Sequence, residues 1–284
     1  MPAINLARLK TQAARLSEKF IEPEAFLRDL DEILDLYTNR TIRATQIARR
    51  LALPTYRTPA PVLRQIQAEL GPLVKAHPIE AVALVGALWK ARSLEARLLA
   101  ARLLGSIAPS QAIPALMHLP DWLAQSTDKQ IRTALLTDAF ARLRRENPET
   151  FFTLLEGWLG SSRNSFQVWG LQALIPMLTE PQFENLPAVF RILKPAIRSA
   201  GPVTQLELQA CLATLGQVSQ TETLAYLREI IGEDPAPLML RTLNRILPAL
   251  SPDLRSGLQE LLRNPRSRPK EAFPSHEDGS LGNA

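Results

Sequence analysis

A chain of 284 residues, 46% of them hydrophobic, can bury a continuous core but is long for one globular core, so stacked units or two domains are expected. The single cysteine, Cys211, excludes an intramolecular disulfide framework and points to a reducing, cytoplasmic setting. The net charge of +5 is local: residues 41–110 carry 10 Lys/Arg against 3 Asp/Glu, while the segments on either side are each close to neutral.

Nearly every segment carries apolar residues at the helical period, and no sustained alternating strand pattern occurs. The first two predicted helices are 4–20 and 24–37, the second opened by Pro23 and bearing Phe26, Leu27, Leu30, Ile33, Leu34 and Tyr37 on its apolar side. Arg8, Lys10 and Arg15 punctuate the first helix, so no secretion signal is expected there. A short basic helix at 40–52 leads into LPTYRTPAP, where Pro54, Pro59 and Pro61 interrupt helix geometry. A domain boundary is placed there.

Beyond it the pattern predicts helices at 61–76, 79–90, 93–107, 111–125, 128–146, 149–160, 164–178, 182–199, 203–217, 221–232, 236–249 and 252–263. Prolines 114, 176, 187 and 195 should kink or shorten theirs. From Asn264 the text turns polar, and a disordered tail is expected. The longest wholly apolar stretch, Ala81 to Trp89, is far short of a bilayer span, so no membrane association is expected.

Trp89, Trp122 and Trp158 recur at spacings of 33 and 36 residues, each with a serine four positions on: Ser93, Ser126 and Ser162. A period of this size is one helix pair, the unit of a helical solenoid. These tryptophans could stack bases, but a tryptophan ending each first helix before a helix-starting serine fits a buried anchor with an N-cap better. Trp169 lies inside a second helix after Phe166 and is kept as a candidate DNA contact beside a core role.

Arg40, Arg43 and Arg50 share one side of the basic helix, and Arg57 and Arg64 follow. Guanidinium groups so placed can track a phosphate backbone, or simply solvate a face. Arg97 and Arg132 open second helices at matching repeat positions, and Arg163 joins them as a candidate DNA contact. Asp31 and Asp35 stand one helical turn apart without a histidine, and a solvated acidic face explains them. His77, His118 and His276 have no metal-ligand spacing. No phosphate loop, dinucleotide turn or serine elbow is present, so neither a cofactor nor a metal is expected.

From Thr58 to Tyr226 the chain resembles the DNA alkylation repair family of HEAT-like solenoids, the AlkD-type DNA glycosylases. The resemblance is carried by TPAPVLRQI at 58–66, LWKARSLEARLLAARLL at 88–104 and NPETFFTLLEGWLGSSRNSF at 147–166, within which Pro148, Glu149, Trp158, Asn164 and Phe166 match. It implies an armadillo-like helical fold and alkylated DNA as the ligand. It also implies an aromatic cradle, an Asp that supports glycosidic cleavage and an Arg near the DNA backbone. Counted from Pro148 and Trp158, those positions hold Lys129, Thr133, Trp169 and, for a later Trp, Thr214, and none matches the family. Asp138 lies five residues from the expected Asp, about 7.5 Å along a helix axis.

The expectation is therefore an all-α, right-handed HEAT-like helical-repeat solenoid: an N-terminal helical extension over 1–53, a repeat domain over 54–263 and a tail over 264–284. It would bind duplex DNA through phosphate contacts without an identified catalytic set. An active glycosylase and a protein interaction scaffold are the alternatives.

Overall fold

A computed structural model describes residues 5–38, 53–180 and 183–263, which form helices joined by turns and short extended segments, with no strand among them. The all-α expectation holds, and the helices follow one another in the close succession of a helical repeat. The predicted helix at 40–52, with Arg40, Arg43 and Arg50, lies outside the described residues, as does the tail.

The chain divides between Leu193 and Lys194 into two compact units, within a single helix. The first contains α1 (Leu6–Ser17), α2 (Pro23–Leu36), α3 (Ala60–Ala76), α4 (Pro78–Lys90), α5 (Leu94–Leu104), α6 (Pro109–Leu116), α7 (Leu119–Gln125), α8 (Lys129–Thr137), α9 (Ala141–Glu146), α10 (Pro148–Leu159) and α11 (Asn164–Leu178). The division falls in α12 (Leu186–Arg198).

Two rows of helices build the first unit. α1, α3, α5, α8 and α11 pack successively in one row, and α2, α4, α6 and α9 in the other. Turns as short as His77, between α3 and α4, and Ala91–Ser93, between α4 and α5, make neighbours antiparallel, so α3 and α5 run the same way. The core between the rows is Leu-rich, with Ile66, Leu70, Leu84, Leu88, Leu99, Leu103 and Leu135 all essentially inaccessible. Burying one such side chain contributes about 2 kcal/mol, which offsets the backbone entropy of roughly one or two ordered residues.

Two predicted helices are each broken in two. The segment at 111–125 divides into α6 and α7, with Pro114 inside α6 and Pro120 in the first turn of α7. The segment at 128–146 divides at Asp138–Phe140, because the chain turns there to meet the end of α5. The Arg142 N–H donates to Gly105 O at 3.1 Å, and the Arg144 guanidinium donates to Thr137 O at 2.7 Å, satisfying a carbonyl at the end of α8. Pro176 and Pro195 sit inside α11 and α12, which continue through them.

The second unit packs α13 (Gln205–Val218), α14 (Gln220–Glu233), α15 (Pro237–Ile246) and α16 (Pro252–Arg263), with a 3-10 turn at Leu247–Ala249. Leu208, Cys211, Leu212, Leu215, Leu227 and Ile230 form its centre. Burial pushes the Cys211 thiol up to about 12, because a thiolate in an apolar core has no solvation. Lys194 and Arg198 both pair with Glu233, which lowers that carboxyl and raises Lys194.

Candidate functional site

Helix-starting chemistry places the polar ends of the first row. Ser93 caps α5, its hydroxyl accepting from Ala96 N–H at 3.3 Å. The other two repeat serines, Ser126 and Ser162, are not the caps expected of them. Ser126 donates back to Trp122 O at 2.7 Å, and Asp128 caps α8 by accepting from Gln130 and Ile131 N–H. At α11 the cap position is Arg163, with no side-chain cap, and Ser161 accepts from the Arg163 N–H. The repeat unit is therefore kept by the tryptophans more faithfully than by the serines.

Trp89 and Trp122 stack face to face, centroids 4.5 Å apart and planes 12° apart. The contact joins the end of α4 to the middle of α7, the helices that precede α5 and α8, so Trp122 does not end its helix as expected. Trp89 is buried and Trp122 is half-exposed. Trp158 is buried against Phe140, Phe166 and Trp169. Trp169 is 8% exposed within that cluster, which leaves little of its indole for a ligand.

The candidate arginines divide by surroundings. Arg64 in α3, Arg132 in α8 and Arg163 before α11 are exposed. The Arg132 guanidinium reaches Thr127 O at 3.3 Å, and that of Arg163 lies 5.8 Å from the Phe166 ring centre. Arg97 lies in the first turn of α5 with its guanidinium 4.6 Å over the Trp89 ring. Burial, with a smaller contribution from Arg92, lowers its affinity for the proton. Arg57 has φ 55°, in the left-handed region that is uncommon for residues other than Gly, Asn, Asp and His.

That backbone turn belongs to a clasp the sequence pattern did not announce. Pro54 O accepts the Leu94 N–H, Thr55 Oγ1 donates to Glu95 Oε1 at 2.8 Å, and the Thr58 N–H donates to the same oxygen at 3.4 Å. Tyr56 donates to Asp31 at 3.0 Å, and burial together with that carboxylate pushes its hydroxyl up to about 12. Glu95, 3% exposed, thus ties the 53–59 segment to α5, with its second oxygen buried and unbonded. Asp31 therefore serves this clasp rather than a purely solvated face.

The positions aligned with the family's functional residues also have structural surroundings. Lys129 and Thr133 are exposed on α8 and Thr214 is half-buried on α13. Asp138 faces Arg102 at 3.5 Å and accepts from Thr137 at 3.1 Å. Pro148 and Glu149 form the first turn of α10, where Asn147 accepts from Thr150 N–H, so this matched pair is helix-start chemistry. Among the described residues no group of three or more His, Cys, Asp or Glu is placed to hold a metal ion, and no helix is long and apolar enough to cross a membrane.

The model of the family described as DNA alkylation repair enzyme matches residues 42–242, more than half of the chain. The chain belongs to the DNA alkylation repair enzyme family. The match runs from the segment before the Glu95 clasp into α15, and it supports a role in DNA repair. No curated protein and no solved structure matches the chain. Within this family member, sequence reasoning found Arg97 but missed Arg92, whose only signal was its place one residue before the Ser93 cap.

Proposed function

We propose that this member of the DNA alkylation repair family binds duplex DNA through backbone phosphates, along the edge where the α3–α5–α8–α11 row begins, without excising a base. The observation that carries it is the set of basic side chains along that row: Arg92, Arg97, Lys129, Arg132 and Arg163 sit in or just before the first turns of α5, α8 and α11, and Arg64 lies in the second turn of α3. Phosphate contacts need charge and reach rather than a particular sequence, and helix N-termini add partial positive charge to that edge. Filter binding of duplex DNA at two salt concentrations tests it. Affinity should fall steeply with salt, and binding that is absent or insensitive to salt overturns it.

The family's description as an enzyme favours a second reading, removal of an alkylated base by residues other than those at the aligned positions. A departing cationic base needs an electron-rich ring and a carboxylate close by. At the aligned positions Thr133 offers no carboxylate and Trp169 is buried, while Asp138 is engaged by Arg102. Incubation with DNA carrying methylated purines decides: released base establishes the enzyme, and none released removes it.

A further inference from the structure

Three partly buried arginines of the first unit each face a carboxylate: Arg102 faces Asp138, Arg142 faces Glu146 and Arg144 faces Glu180. Arg97 is also partly buried, yet the charged group that acts on it is Arg92, another cation. Its Nε is buried with no hydrogen-bond partner among the described residues. No carboxylate among the described residues acts on it. Burying part of a guanidinium beside a like charge is unfavourable, and the Trp89 face only partly offsets it. Such a cation is arranged for an anion that comes from outside the fold.

The stack fixes where that anion would sit. Trp89 stacks on Trp122, and the Arg97 guanidinium carbon lies 4.6 Å from the Trp89 ring centre, so an aromatic surface backs the cation. Arg92 is exposed, three residues beyond Trp89, in the turn from which α5 begins. We propose that Arg92 and Arg97, with Arg97 laid on the Trp89–Trp122 stack, form a subsite for one phosphodiester of a nucleic-acid backbone. Arg92 is exposed, and Lys129 and Arg132 begin the next helix of the row, which suits one phosphate in a continuous strand better than a free ion. This rests on the DNA-binding function proposed above and assigns one of its contacts.

The test is fluorescence anisotropy of the full chain with a short fluorescein-labelled unmodified duplex, titrated across a salt series. Arg97→Ala should lose roughly five-fold affinity and lower the slope of log affinity against log salt by about one. Arg97→Lys should recover the slope but not the whole affinity, because an ammonium cannot fork to two phosphate oxygens. Arg92→Ala, at an exposed position with little risk to folding, should also lower the slope. Arg241→Ala on α15 removes the same charge elsewhere and should keep the wild-type slope; an equal loss there would overturn the assignment. Wild-type binding with unchanged slopes in both Arg92→Ala and Arg97→Ala overturns the subsite and leaves the DNA reading standing. No wild-type binding removes both. Tight binding of inorganic phosphate at this site would make it a small-anion site and overturn the backbone assignment.

Discussion

Asp138 O lies 1.7 Å from where a Cβ on Gly105 would stand, so the end of α5 meets the turn after α8 at a distance only glycine permits. The same approach lets Gly105 O accept the Arg142 N–H and Ser106 O accept the Arg142 guanidinium. Gly105→Ala must push backbone from backbone, since no flexible side chain can yield. It should cost about 2–3 kcal/mol, seen as a lower urea midpoint with an unchanged slope.

Glu95 is the acceptor on which the 53–59 segment depends. Glu95→Ala leaves the Thr58 N–H and Thr55 hydroxyl without their partner and should destabilise by about 1–3 kcal/mol. Thr55→Val, which removes one donor and keeps the volume, should cost less. Chemical denaturation of the two variants checks the order, and equal losses would contradict it.

Two arginine pairs should differ strongly. Arg144 is 8% exposed, and its burial disfavours the charge that Glu180 stabilises. Glu180→Ala strands that charge and should cost on the order of 3 kcal/mol. Arg142 and Glu146 are one helical turn apart near the surface, and Glu146→Ala should cost under about 0.5 kcal/mol. Thermal unfolding of both variants reads the contrast.

The Trp89–Trp122 stack predicts coupling between two turns of the first unit. In a double-mutant cycle of Trp89→Leu and Trp122→Leu, the interaction energy should be about 1 kcal/mol, apart from the area each ring buries.

Cys211 gives a pH prediction with a definite sign. Its folded value, about 12, lies above that of an unfolded thiol near 8.5, so the folded chain holds this proton more tightly. The stability it contributes is complete below about pH 8.5 and falls as pH rises toward 12. Tyr226, also raised by burial, acts in the same direction at higher pH. Alkaline unfolding of Cys211→Ala should therefore show a shallower loss between pH 9 and 11 than the wild type. In the native wild type, thiol reagents should react at neutral pH only as fast as the chain unfolds.

The helical period, the proline starts at Pro23 and Pro148 and the tryptophan recurrence were readable because they are local rules of backbone geometry and spacing. They determined an all-α chain of short helices, and the motifs at 58–66, 88–104 and 147–166 determined the family. Other relationships join residues that are 25 to 40 positions apart and carry no shared local signal. They include Gly105 against Asp138, Tyr56 to Asp31 and Thr55 to Glu95. Tertiary packing alone decided that Trp169 is core, that Asp138 is held by Arg102 and that Arg97 has an aromatic neighbour instead of a carboxylate. The physical reason is that desolvation and pairing depend on what another helix brings to within a few ångströms, which the order of residues along one helix does not encode.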